Sequence, residues 1–167
     1  MSLLIAAVGA TIAAIFESSV LTRLLIVGVK PDLVLAITLA TVIVLGFEHG
    51  IVWAFVGGLL LDILLPDRTL GSTTLALLLA AGAALVIARA ADVPGSLLIG
   101  LITFVVAFVY QAVLMVLLAT TTGTELQPLN APVFAAIAII DAAIAVAAAW
   151  TAGALEQRFG RADRLTW

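Results

Sequence analysis

Four polar side chains lie inside or near the ends of otherwise apolar runs: Glu17, Asp62, Gln111 and Asp141. An ionised group in hydrocarbon is costly unless it is paired, hydrated or protonated, so these residue types in these positions mark either an internal lock or a functional site. Pairing among them would fasten helix ends to one another; a ligand or a partner's polar group could use them instead. A proton or ion path needs a file of ionisable groups, and the chain offers none. Asp141 stands apart, near the middle of an Ala-rich run with no cation at matching depth, and is expected to face the interior of a helix bundle.

Catalysis has little to draw on. With no cysteine there is no thiolate nucleophile, haem linkage or cysteine-ligated cluster, and a single histidine excludes paired-histidine metal motifs. That histidine, His49, stands beside Glu48 in a short polar break and reads as a solvated loop residue. Thr120 to Thr124 has neither the glycine spacing nor the lysine of a phosphate-binding loop. No GxSxG and no second aspartate motif supports intramembrane hydrolysis. No catalytic residue, cofactor or metal ligand is expected.

The elements that must position these groups are set by composition. Of 167 residues, 65% are hydrophobic and only 10% charged, and the mean hydropathy is +1.34. A soluble domain carries roughly 25% charged residues, so the expectation is an all-α integral membrane protein, with the bilayer as a partner. The net charge of -3 comes from few charges and excludes a basic nucleic-acid surface. Apolar runs fall at about 3–25, 31–46, 49–65, 70–90, 95–121 and 131–155. They predict a single transmembrane domain over 1–167 with about six helices in one bundle, and a cytoplasmic tail over 156–167. The second and third runs are short for a full crossing. The first lacks the basic segment of a secretory signal and reads as a retained span.

Pro31, Pro94 and Pro132 each open a run, where a missing N–H costs nothing, and Asp32 follows Pro31 at the positive end of its helix. Arg89, Arg158, Arg161 and Arg164 would lie on one side of the membrane and Arg23, Lys30 and Arg68 on the other. The excess of positive charge near the C-terminus places both termini in the cytoplasm. Glu17, Asp62 and Gln111 then fall in the outer halves of their helices, together with Asp32 and three cations. Small residues recur at three- or four-residue spacing: Ser72, Ala76, Ala80, Ala84 and Ala88; Ala138, Ala142, Ala145 and Ala149; Ala6, Ala10 and Ala14. Such ridges let helices approach closely, within this chain or against another membrane protein. Gly57 and Gly58 thin the third run.

The stretch Val27-Gly28-Val29-Lys30-Pro31-Asp32-Leu33-Val34-Leu35, with Gly57-Gly58-Leu59-Leu60-Leu61-Asp62-Ile63-Leu64 and then Leu70-Gly71, resembles the MreD family of rod shape-determining membrane proteins. The likeness in motif covers about residues 16–75. It implies a non-enzymatic multi-pass subunit of the bacterial inner membrane. Such a subunit would bind MreC and act with MreB, RodA and a class B penicillin-binding protein to organise lateral peptidoglycan synthesis. Pro31, Asp32, Gly58 and Asp62 match characteristic positions of the family. Their physical roles are our reading: Pro31 and Asp32 start a helix, Gly58 permits close packing, and Asp62 anchors the outer end of the third helix. The family also looks similar in fold to the substrate-binding S-components of energy-coupling-factor vitamin transporters. An outward cavity and a vitamin-binding role are therefore the alternative expectation.

Overall fold

A computed structural model describes residues 3–21, 30–65, 69–91, 95–123 and 130–159. The described residues form six α-helices and no strand: α1 (Leu3–Phe16), α2 (Leu33–Val44), α3 (Phe47–Leu64), α4 (Ser72–Ala90), α5 (Ser96–Thr122) and α6 (Ala131–Phe159). Helix α1 runs directly into a π-helical turn over Glu17–Leu21. The cationic tail beyond residue 159, including Arg161 and Arg164, lies outside the described residues, as do Arg23 and Arg68.

Helices α3, α4, α5 and α6 are each long and apolar enough to cross a membrane. Helix α2 is not: its 12 residues rise about 18 Å, well short of a hydrocarbon core of about 30 Å. The sequence marks the second and third runs as short. The third makes an 18-residue helix that qualifies, while α1 and α2 are the two shorter apolar helices.

The short helix is the hub. It contacts α1, α3, α4, α5 and α6, and its buried residues Val34, Leu35, Ala36, Thr38, Leu39, Ala40, Thr41 and Val42 go all round its circumference. A helix apolar on every side is one enclosed by others. Around it α1 packs on α3, α3 on α4, α4 on α5, and α5 on α6.

Packing is inverted relative to a soluble protein. The interior is rich in alanine, with Ala6, Ala10, Ala14, Ala76, Ala80, Ala84, Ala138, Ala145 and Ala149 all buried. Leu4, Ile12, Phe55, Ile63, Leu79, Val86, Leu101, Val109 and Ile139 are exposed. Apolar surface spread over every helix but α2 would be untenable in water and is the natural outside of a chain solvated by lipid. The three small-residue ridges therefore face this chain's own neighbours. Ala36 and Ala40 of α2 meet Ala145 and Ala149 of α6 in one compact cluster with Ile99.

Glycine sets the closest approaches. A Cβ built on Gly58 would lie 2.6 Å from Cα of Thr74, and one on Gly57 would lie 2.6 Å from Cγ1 of Val34. One on Gly50 would lie 2.5 Å from Cβ of Val42. These three residues let α3 lie directly against the backbone of α4 and the side of α2.

Candidate functional site

Two helices of this bundle begin where another helix covers them, and a helix start carries N–H groups with no partner inside the helix. In a lipid environment each must be satisfied by protein. Carboxylates carried on other elements supply the acceptors at both places.

At α2 the socket has three walls. Asp32 is the N-cap residue, at φ -101° and ψ 89°, and its Oδ1 accepts the Leu35 N–H at 2.9 Å. Glu17, from the π-helical turn after α1, accepts the Val34 N–H through Oε2 at 2.9 Å. Asp141, from α6, accepts the N–H of Asp32 itself through Oδ1 at 2.9 Å. All three acids are buried. Lys30 Nζ lies 3.9 Å from Glu17 Oε1 and is partly exposed. Asp141 is ten residues past Ala131, so α2 starts nearly three turns, about 15 Å, down the axis of α6. The π-helical turn is the element that aims Glu17: an extra residue in the turn rotates the side chains that follow, a device that recurs where a polar group must be placed.

At α4 a single carboxylate does the same. Gly71, the N-cap residue, sits at φ +93°, a conformation that favours glycine, and brings no side-chain acceptor. Asp62, in the last turn of α3, substitutes for it. Its oxygens accept the N–H groups of Gly71 at 2.9 Å, Thr73 at 2.9 Å and Thr74 at 3.2 Å. They also accept the hydroxyls of Thr74 at 2.9 Å and Ser72 at 3.4 Å. Beside this clamp the hydroxyl of Thr69 donates to that of Thr121, tying the turn before α4 to the end of α5.

The residues singled out in the sequence thus divide. Glu17, Pro31, Asp32 and Asp141 come together at the start of α2, with Pro31 and Asp32 both buried. Asp62, Gly57 and Gly58 belong to the α3 interfaces, with Gly58 packed one turn below the Asp62 clamp. Asp62 thus serves the start of α4, while Glu17 and Asp32 serve the start of α2. Gln111 is half-buried on α5 and joins neither clamp among the described residues. Glu48 and His49 stand in the first turn of α3, away from both.

Several partners were not singled out as site residues from sequence: the cap position of Gly71, with Thr73 and Thr74, at one clamp, and the N–H groups of Asp32 and Val34 at the other. Gly71 carries the one readable signal, since a helix opening on glycine must borrow its cap.

Both arrangements hold helices in register, and among the described residues neither presents an open face with a nucleophile, an acid and a base in reach of one another. A family model described as rod shape-determining protein MreD matches residues 1–150, which includes both clamps and all six helices up to the last turns of α6. No curated protein and no solved structure matches, so the expected likeness to S-components is not shown.

Proposed function

The chain belongs to the MreD family of rod shape-determining proteins, and from that premise we propose that it is a non-enzymatic inner-membrane subunit of the cell-elongation machinery. It binds MreC and, through it, helps to organise MreB, RodA and a class B penicillin-binding protein for lateral peptidoglycan synthesis. Its termini face the cytoplasm.

The observation that carries this reading is the use made of the polar groups. Glu17, Asp32, Asp62 and Asp141 each accept backbone N–H groups at the start of a helix. What the molecule offers to its surroundings is therefore apolar helix surface. A protein built this way acts by presenting faces to other membrane proteins, since helix association in lipid depends on shape and close contact.

Co-purification tests it. The full chain reconstituted in nanodiscs should retain MreC, and depletion of the chain in cells should convert rods to rounded forms that are rescued by re-expression. Retention of no elongation component, with rod shape kept on depletion, would overturn the reading.

A further inference from the structure

The apolar exterior of the bundle is not closed everywhere. Between α4 and α5 lies a slot of about 210 Å³, walled on α4 by Ala76, Ala80 and Ala83 and on α5 by Val105, Val109 and Val113. Alanine is too short to reach across and valine is stiff at χ1, so neither row has a side chain that swings in to fill the gap. Val106 and Tyr110, both buried, line the floor, whereas Leu79, Ala83 and Val109 along the rim are exposed. The rim is therefore continuous with the surface that the bundle turns to lipid. Among the described residues no charged side chain lines the slot.

Its dimensions decide what can enter. On α4 the lining runs from Ala76 to Ile87, a rise of about 16 Å. That is close to one leaflet of a hydrocarbon core about 30 Å thick. A helix about 10 Å across occupies about 1,200 Å³ over the same length, so the helix of another protein can lie over the slot but not in it. A single hydrocarbon chain can enter. Left empty, the slot would deprive its wall atoms of dispersion partners, and such contact is what holds helices together where there is no water to expel.

We propose that the slot between α4 and α5 holds one acyl chain of a bilayer phospholipid. The chain completes the contact between the two helices from outside and becomes a fixed part of the bundle. Recognition is by the shape and apolar lining of the slot, so it does not depend on the headgroup. The site follows from the membrane-spanning helices alone and is independent of which protein the outer faces bind. Gly82, one residue from Ala83, does not line the slot and faces open space, which makes it the natural control.

The test places the full chain in nanodiscs of dioleoylphosphatidylcholine and releases it for native mass spectrometry. One lipid should stay on the wild type under activation that strips the others. Ala83→Phe and Val109→Phe fill the slot from its two walls and should each lose that lipid, while Gly82→Phe, with the same ring just outside, should keep it. Tyr110 is the single tyrosine of the chain and gives a second measurement. With the rest of the protein deuterated, nuclear Overhauser contacts from lipid methylenes to its buried ring should appear in the wild type and vanish in the filled variants. Should the filled variants fail to fold, the ring contacts of the wild type decide. A wild type whose Tyr110 ring shows no lipid contact overturns the proposal, as does a folded Ala83→Phe or Val109→Phe that keeps the lipid. A second copy of the chain, retained in place of the lipid and lost in Ala83→Phe, overturns it as well.

Discussion

The backbone N–H of Asp32 donates to Oδ1 of Asp141 at 2.9 Å, across 109 positions of sequence. The bond fastens the first turn of the central helix to the middle of the last one. Asp62 makes the corresponding link between α3 and α4. Both bonds use the same chemistry, a carboxylate on one helix accepting the leading amides of another.

The clamp at α4 should dominate the stability of the α3–α4 pair. Asp62→Ala leaves the N–H groups of Gly71, Thr73 and Thr74 without their acceptor, and orphaned buried donors cost about 1–3 kcal/mol each. With partial relaxation we expect a loss of about 2–4 kcal/mol, and a smaller one for Asp62→Asn, which keeps an acceptor oxygen. Unfolding in mild detergent measures both; equal, negligible losses would show that water replaces the carboxylate.

Gly58 and Gly82 should respond oppositely to alanine. At Gly58 the new Cβ meets the backbone of Thr74 at 2.6 Å, which cannot yield without moving α4. At Gly82 nothing lies within 4 Å. Gly58→Ala should destabilise by about 1–3 kcal/mol, while Gly82→Ala should stabilise by up to about 1 kcal/mol through helix propensity. Thermal midpoints of the two variants side by side check the sign.

Glu17 matters through an amide more than through Lys30. Its Oε2 bond to Val34 is 2.9 Å and buried, whereas the Lys30 contact is 3.9 Å with the lysine 31% exposed. Lys30→Met should therefore cost less than about 1 kcal/mol. Glu17→Ala should cost about 1–3 kcal/mol, the range for a buried donor left unmet. A double-mutant cycle in detergent gives the coupling, expected to be small; a coupling as large as the Glu17→Ala loss would assign the role to the ion pair.

Interior and outward positions on α1 should separate folding from association. Ala10→Leu places bulk in a ridge with no exposure and should cost about 1–3 kcal/mol. Ile12→Ala, on the lipid side at 62% exposed, should leave stability nearly unchanged while testing whether that face contributes to MreC retention. Midpoints and co-purification are measured on the same preparations.

The helices were legible because lipid imposes long apolar runs, and the runs at 70–90 and 131–155 announce themselves by composition alone. Asp32 after Pro31 also announced its role, since the cap lies in the same short segment as the helix it starts. Asp141 was harder. A search for its partner looks for a cation at matching depth, whereas the partner is the peptide N–H of Asp32, which every residue but proline carries and no sequence distinguishes. Asp62 reads as an anchor of the outer end of its own helix, and its bonds run from that end to the amides that open α4, partners that sequence does not distinguish either. Gly57 and Gly58 signalled close packing, but Val34 and Thr74 as the opposing groups follow only from the arrangement in space.

The distance along the chain between the two halves of each clamp has a consequence for biosynthesis. Asp62 lies 12 positions or fewer from the amides it holds, so the α3–α4 clamp can close almost as soon as α4 emerges. The amide of Asp32 must wait 109 residues for Asp141. At about 5–20 residues per second of synthesis that is roughly 5–20 s. During that interval the central helix enters the bilayer without the acceptor that α6 supplies. The insertion machinery would have to shelter the nascent α2 until α6 arrives, which makes the last span the step that commits the first two.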